Sequence, residues 1–486
     1  MTADDRNLGR GTVWVGIASG LAGVLDLITT VACLWLWISP ADLGVATLAG
    51  ALLPVIERVA GLGMPAALVR FADAERRALS TMIWLNVVGA LAVLGAAIAG
   101  RGVIGRALGE PIVGGLVIGY AAKLVVQTTY VAPEAMLRRA LAFDRLTRVR
   151  IAASFTEAAV KLGCAYAGAH VWCFVAGPLA NGVVTALAIQ LARPWRPVLA
   201  FDRQVARDAL RYGVQVSGGE LLYFLYSNAD YLVIGRVWGG AAVGAYRLAY
   251  ELVLDVVRLI SLVTAEVAFP AFARVRGDRA RAGELLIRFT RQNAIALAPV
   301  LVFLAVAADD LLAVLYPPLP AAAVSAARLL CIVGGLRVLS FVFPAMLAGL
   351  GHAGDALAYH ALAALLLPLA FVAAAWAFPA AGFLAVAAAW AVAYPVVFFV
   401  LLGRTLVRCH VGLAAYLRSL AGIVASGGLA AAVGLAAHVG LGQLGALAIV
   451  RLLVTAAVVL AVDLAALARI ERVTPRSVLR AIRGGA

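Results

Sequence analysis

Ala381-Gly-Phe-Leu-Ala-Val-Ala-Ala-Ala-Trp390-Ala-Val-Ala-Tyr-Pro395-Val-Val-Phe-Phe-Val400-Leu-Leu-Gly403 runs without a single charged side chain. A helix of about 20 such residues crosses the hydrocarbon core of a bilayer. Outward from this stretch the pattern repeats. Apolar blocks lie near residues 12–38, 44–70, 80–100, 111–137, 149–168, 172–192, 212–236, 241–272, 292–316, 321–350, 354–378, 417–438 and 446–468, giving about fourteen spans in all. Short breaks that are charged or rich in Gly and Pro separate them. In lipid the backbone must satisfy its own polar groups, so a spanning segment is either a helix or a strand of a closed barrel. Barrel strands alternate over short segments, whereas these blocks are continuous and rich in Ala, Leu and Val. The expected fold is an all-α polytopic membrane protein.

Composition agrees. Of 486 residues, 64% are hydrophobic and 13% charged, with a mean hydropathy of +0.99. A soluble domain is nearer half apolar and a quarter charged. The first block carries Asp26 and runs long for a cleavable signal peptide, so it is expected to remain as a span. Trp35, Trp37, Trp172, Trp376 and Tyr394 lie near block ends, where aromatic side chains anchor in the interface.

The net charge of +15 suggests nucleic-acid binding until it is mapped. The arginines cluster in alternate loops: Arg76 and Arg77; Arg138 to Arg150; Arg193 to Arg211; Arg274 to Arg291; Arg404 to Arg418; and a tail from Arg469 to Arg483. The intervening loops hold only Arg101, Arg106 and Arg236. This is the positive-inside pattern. It places both termini in the cytoplasm of a bacterial cell, with the chain in the cytoplasmic membrane. Contact with anionic membrane lipids accounts for the charge, and nucleic acid is not an expected partner. The five cysteines show no metal-ligand spacing. His170, His352, His360, His410 and His438 are scattered, so no metal site is expected.

The chain repeats itself at an offset of 200 residues. Leu43-Gly44-Val45 and Val243-Gly244-Ala245 each open a span, Leu48-Ala49 matches Leu248-Ala249, and Arg58 falls opposite Arg258. Pro65-Ala66 with Arg70 matches Pro270-Ala271 with Arg274. A parallel repeat of six helices each implies two lobes around a cavity, whose rocking alternates access. The domains expected are an N-lobe over 1–200, a C-lobe over 201–410, and a C-terminal helix pair with a basic tail over 411–486.

Five motifs carry a family resemblance. They are Asn228-Ala-Asp230-Tyr-Leu-Val-Ile-Gly235-Arg236; Val243-Gly244-Ala-Tyr246-Arg-Leu-Ala249; Phe269-Pro270-Ala-Phe272-Ala-Arg274; Leu137-Arg138-Arg139-Ala-Leu-Ala-Phe143; and Trp195-Arg196-Pro197. Together they resemble the Wzx-type polysaccharide flippases of the MOP exporter superfamily (multidrug, oligosaccharidyl-lipid and polysaccharide exporters). The likeness covers most of residues 10–405 and weakens in the last two spans. It implies two six-helix lobes, a cationic central cavity and a polyprenyl-pyrophosphate-linked glycan as substrate. Other polysaccharide assembly proteins are then expected partners.

Ionisable groups inside spans are costly in lipid and are functional candidates. Arg247, Glu251, Asp255 and Arg258 step by four, four and three residues and so share one helix face. Either they line a cavity or they form a self-neutralising ladder. Glu57 and Arg58 lie on the second span, and Arg58 and Arg258 match in the repeat. Planar guanidinium forks suit a pyrophosphate. Arg58, Arg247 and Arg258 are the expected clamp, with Lys123 and Arg337 adding charge. Glu157 and Lys161 are spaced as an i, i+4 pair. Asp26, Glu220 and Asp230 show no local partner; one of them would carry a coupling proton or sodium ion, or bond a neighbouring helix. No Gly-x-x-x-x-Gly-Lys run is present, so ATP hydrolysis by the chain is not expected. No other cofactor is implied. The alternatives are a membrane glycan polymerase or ligase, which the short outer loops disfavour, and a multidrug or small-cation exporter, which an anionic cavity would favour.

Overall fold

A computed structural model describes residues 3–470 apart from 62, 65–67, 69–74, 141, 317 and 318. Pro65, Ala66 and Arg70, and the tail arginines after Ile470, lie outside the described residues. Every regular element among those described is a helix. In order these are α1 (Ala3–Leu36), α2 (Pro40–Gly61), α3 (Arg76–Leu108), α4 (Pro111–Thr128), α5 (Val131–Arg139), α6 (Phe143–Tyr166), α7 (Cys173–Ala192), α8 (Arg203–Tyr250) and α9 (Val256–Arg274). Then follow α10 (Arg279–Val306), α11 (Ala308–Leu315), α12 (Ala321–Ser340), α13 (Phe343–Gly349), α14 (Ala353–Ala377), α15 (Leu384–Cys409), α16 (Leu413–Gln443) and α17 (Ala448–Ile470).

By length and composition, ten spans long enough to cross a membrane are present among the described residues. α6 and α8 carry more charged and polar residues along their apolar runs than these ten do. The all-helical, many-span architecture is the one expected, and the figure of about fourteen rests on the sequence. The chain is a multi-pass membrane protein. Pro54, Pro178, Pro299, Pro368 and Pro395 all lie inside helices, as tolerated where neighbouring helices satisfy the freed carbonyls.

The expected break between spans 212–236 and 241–272 is a single residue. Gly239 adopts φ 80° inside α8, a left-handed conformation that a side chain disfavours.

The chain divides into two compact units, Met1–Gly244 and Ala245–Ala486. In the first, α2 and α8 touch backbone to backbone. A Cβ on Gly44 would collide with the Gly240 carbonyl, and one on Gly244 with the Pro40 carbonyl. The glycines that open matching spans in the repeat thus pack against each other. That contact explains why the unit extends past the sixth span to Gly244.

In the second unit, Asn293 of α10 donates to Ser261 Oγ of α9 (3.0 Å) and to the Val338 carbonyl of α12 (2.5 Å), and accepts from Thr264 Oγ1 (3.3 Å). Such bonds replace the hydrophobic force that is missing between helices in lipid. Asp310 of α11, buried, accepts from Arg451 Nε of α17 at 2.7 Å and pairs with a second guanidinium nitrogen. His438 Nε2 of α16 lies 3.4 Å from Asp309 Oδ1. The last two helices are therefore fastened to the second unit by charge.

Candidate functional site

α2 carries the first candidates. Its apolar turns pack inward, and Glu57 and Arg58 leave the helix about 100° apart. Arg58 Nε lies 2.9 Å from Glu220 Oε2 on α8, with the two side chains 35% and 53% exposed. Its guanidinium also stands 5.4 Å from the centre of the Phe224 ring. Glu57 turns to α4, where Lys123 Nζ is 3.8 Å from its carboxylate. Glu220 does have a partner, which sequence spacing could not reveal because the repeat sets Arg58 against Arg258 rather than against an acid.

Lys161 of α6 overturns a second expectation. It does not pair with Glu157 one turn earlier. Its Nζ donates to Asp26 Oδ1 (2.8 Å) and Thr30 Oγ1 (2.6 Å) of α1 and lies 5.0 Å from the Phe174 ring centre. Asp26 is thus a paired carboxylate. Glu157 instead accepts from Asn181 Nδ2 of α7 at 2.9 Å. Beside these groups the first unit holds a cavity of about 580 Å³. Gln127, Tyr130, Thr147, Glu157, Asn181 and Thr185 supply much of its polar lining. None of these six stood among the substrate candidates, since polar groups scattered over α4, α6, α7 and the turn at Tyr130 share no spacing. Asp230, buried in α8, accepts from the Tyr231 backbone N–H at 2.9 Å.

In the second unit the four charges of the eighth span form two separate pairs. Arg247 Nε meets Glu251 Oε1 at 2.5 Å, and Arg258 Nε meets Asp255 Oδ1 at 3.1 Å. Between them Glu251–Asp255 is a π-helical turn. The wider turn breaks the single α-helical stripe that 3.6-residue spacing implied. Arg337 is enclosed: 7% exposed, 4.6 Å from the Trp390 ring centre, 5.5 Å from that of Tyr394, and donating to Tyr250 Oη at 3.3 Å. Arg328 Nη2 lies 3.6 Å from Asp309 Oδ1.

Arg58, Lys123, Lys161, Arg247, Arg258, Arg328 and Arg451 each lie within 4.0 Å of a carboxylate. Ion pairs half open to solvent stand on helices that are otherwise apolar, and a charged pair does not face hydrocarbon at that exposure.

The sequence profile of the polysaccharide biosynthesis protein family matches residues 37–318, more than half of the chain. The chain belongs to this family. Among the family's curated relatives, the Teichuronic acid biosynthesis protein TuaB of Bacillus subtilis (strain 168) is 27% identical over 297 residues, 58% of this chain and 59% of that protein. The Lipopolysaccharide biosynthesis protein WzxC of Escherichia coli (strain K12) is 23% identical over 67% of each chain. The Succinoglycan biosynthesis transport protein ExoT of Rhizobium meliloti (strain 1021) is 22% identical over 57% of this chain and 56% of that one. The chain thus spans little more than half to two thirds of these relatives' lengths.

Among solved structures, the Lipid II flippase MurJ in an inward closed conformation superposes with a TM-score of 0.75 at 11% identity, covering 95% of this chain and 99% of that one. An inward-facing multidrug resistance MATE family transporter of the MOP superfamily gives 0.62 at 18% identity, over 85% and 98%. The fold of this family member is the transporter fold those proteins share.

Proposed function

We propose that the chain is a flippase of the bacterial cytoplasmic membrane. It moves a polyprenyl-pyrophosphate-linked oligosaccharide from the inner to the outer leaflet by alternating access, for cell-surface polysaccharide synthesis. Both termini lie in the cytoplasm, and a proton or sodium ion drives the cycle. The chain catalyses no covalent step. Polysaccharide assembly proteins act beside it.

The observation that carries the reading is the Arg58–Glu220 pair, half exposed on a spanning helix of a chain whose family makes polysaccharide. A water-lined path through apolar helices serves transport, and the family supplies the class of cargo. Relatives named for teichuronic acid, lipopolysaccharide and succinoglycan synthesis support it. In the first unit Arg58 and Lys123, and in the second Arg247 and Arg258, are the cations offered to the pyrophosphate. Their carboxylate partners Glu57, Glu220, Glu251 and Asp255 hold the forks until the anion displaces them, and Arg337 positions the helix that bears it. Asp26 and Asp230 remain coupling candidates. The 580 Å³ cavity, with its amides and carboxylate, suits sugar hydroxyls.

Deletion of the gene should leave lipid-linked oligosaccharide on the cytoplasmic leaflet, and the intact gene should clear it. Undiminished export in the deletion strain refutes the proposal.

A further inference from the structure

We infer that the first unit carries a binding site for a lipid-borne phosphate where α7 ends and α3 begins. The inference stands apart from the transport reading, since it concerns a surface that no proposed transport residue touches. A cavity of about 830 Å³ lies there, lined by Arg76, Arg193 and Arg196 together with Trp195 and the leucines of α7. No carboxylate is among its lining residues. Among the described residues no acid lies within salt-bridge distance of Arg193 or Arg196. Within the spans, by contrast, Arg58, Lys123, Lys161, Arg247 and Arg258 each lie beside a carboxylate.

The site is built rather than incidental. Gln190 Nε2 donates to the Thr129 carbonyl at 2.5 Å, and Gln190 Oε1 accepts from the Trp195 N–H at 3.1 Å. Arg76 Nη2 donates to the Arg196 carbonyl at 3.0 Å. The Val198 N–H donates to Ser80 Oγ at 3.0 Å, and Trp84 Nε1 donates to the Val198 carbonyl at 2.9 Å. The loop after α7 is therefore stapled to α3 and α4 before any ligand arrives. A fixed loop holds the arginines' backbones together, and guanidinium forks match phosphate oxygens bidentately.

Apolar groups adjoin the cations. Leu187 and Leu191 stand 61% and 83% exposed on α7, and Leu199 is 93% exposed on the loop. Exposed leucines running down a spanning helix receive acyl or prenyl chains. Leu199 and Trp195 place the loop at the headgroup boundary, where Trp is favoured. Three arginines above a leucine track define a phosphate joined to a hydrocarbon tail. A free phosphate would use the arginines and ignore the leucines.

The test uses the full chain in mild detergent, read by native mass spectrometry. Phosphatidylglycerol and phosphatidylcholine are supplied at equal concentration. The wild type should retain the anionic lipid on the order of tenfold over the neutral one. The R193Q/R196Q variant should lose that preference, and R193K/R196K, which keeps charge without the fork, should retain part of it. R145Q/R148Q, altered on a separate basic helix, should bind as the wild type does, and co-elution with wild type on size exclusion certifies each fold. Undecaprenyl pyrophosphate and inorganic pyrophosphate are then added as competitors. Displacement by the prenyl lipid identifies the substrate lipid as occupant, and resistance to it identifies bilayer phospholipid; either upholds the site. Inorganic pyrophosphate competing as well as either lipid overturns it. So does an unchanged preference in R193Q/R196Q, or an equal loss in R145Q/R148Q.

Discussion

Arg58 of α2 reaches Glu220 of α8 at 2.9 Å across the first unit. If the pair serves only to join the helices, exchanging the charges (R58E/E220R) should restore what either single reversal loses. If Arg58 binds the pyrophosphate, the exchange restores folding but not export. We expect the second outcome, with export down on the order of 100-fold in both R58E and the exchanged variant. Leaflet-resolved lipid-linked oligosaccharide, with membrane yield as the folding control, separates the two.

Lys161 bonds Asp26 and Thr30, not Glu157. Lys161→Met removes two hydrogen bonds that tie α6 to α1 and leaves behind an Asp26 carboxylate that is 61% exposed, so it should cost about 2 kcal/mol of stability. Glu157→Gln keeps a group that accepts from Asn181 and should cost about 1 kcal/mol or less. Thermal unfolding of the two purified variants gives the order. An i, i+4 pairing would instead make the two losses alike.

Arg337 sits among Tyr250, Trp390 and Tyr394. Its planar group stacks where an ammonium does not. Arg337→Lys should therefore lower stability by about 1–2 kcal/mol despite keeping the charge, read as a fall in unfolding temperature.

Asp310 and Arg451 fasten α17 to α11. Asp310→Ala leaves the Arg451 guanidinium without its bidentate acid and should loosen α17 from α11. D310L/R451L removes both charges and should recover most of the attachment. Hydrogen exchange should rise first in α16 and α17 of the single variant. Unchanged protection there would mean the helices are held by packing alone.

Gly44 and Gly244 meet where α2 crosses α8, and a methyl on either collides with backbone. Gly44→Ala should abolish stable insertion. Gly403→Ala, with open space around its position, should be harmless and gain helix propensity. Protein yield in membranes checks both.

The apolar runs made helix class, membrane insertion and the break near Gly239 readable from residue order alone, because span length and glycine conformational freedom are local properties. The charges within spans were also visible as candidates. Their partners were not: Lys161 favours Asp26 over Glu157 because two helices distant in sequence pack together, and no periodicity encodes that. The π-helical turn at Glu251–Asp255 escaped for a related reason, since 3.6-residue spacing assumes an unbroken ladder of hydrogen bonds. The repeat that matched Gly44 to Gly244 and Arg58 to Arg258 had different outcomes at its two positions. The glycines touch, while Arg58 takes Glu220 and Arg258 takes Asp255.

The central claim is that half-exposed charges on the spanning helices face water. In a chain with its five cysteines replaced by alanine, Glu220→Cys should react with a charged methanethiosulfonate reagent at rates near those of a solvated thiol. Leu365→Cys, 64% exposed on the apolar helix α14, should stay unreactive in lipid. A position 220 no more reactive than position 365 would contradict the account.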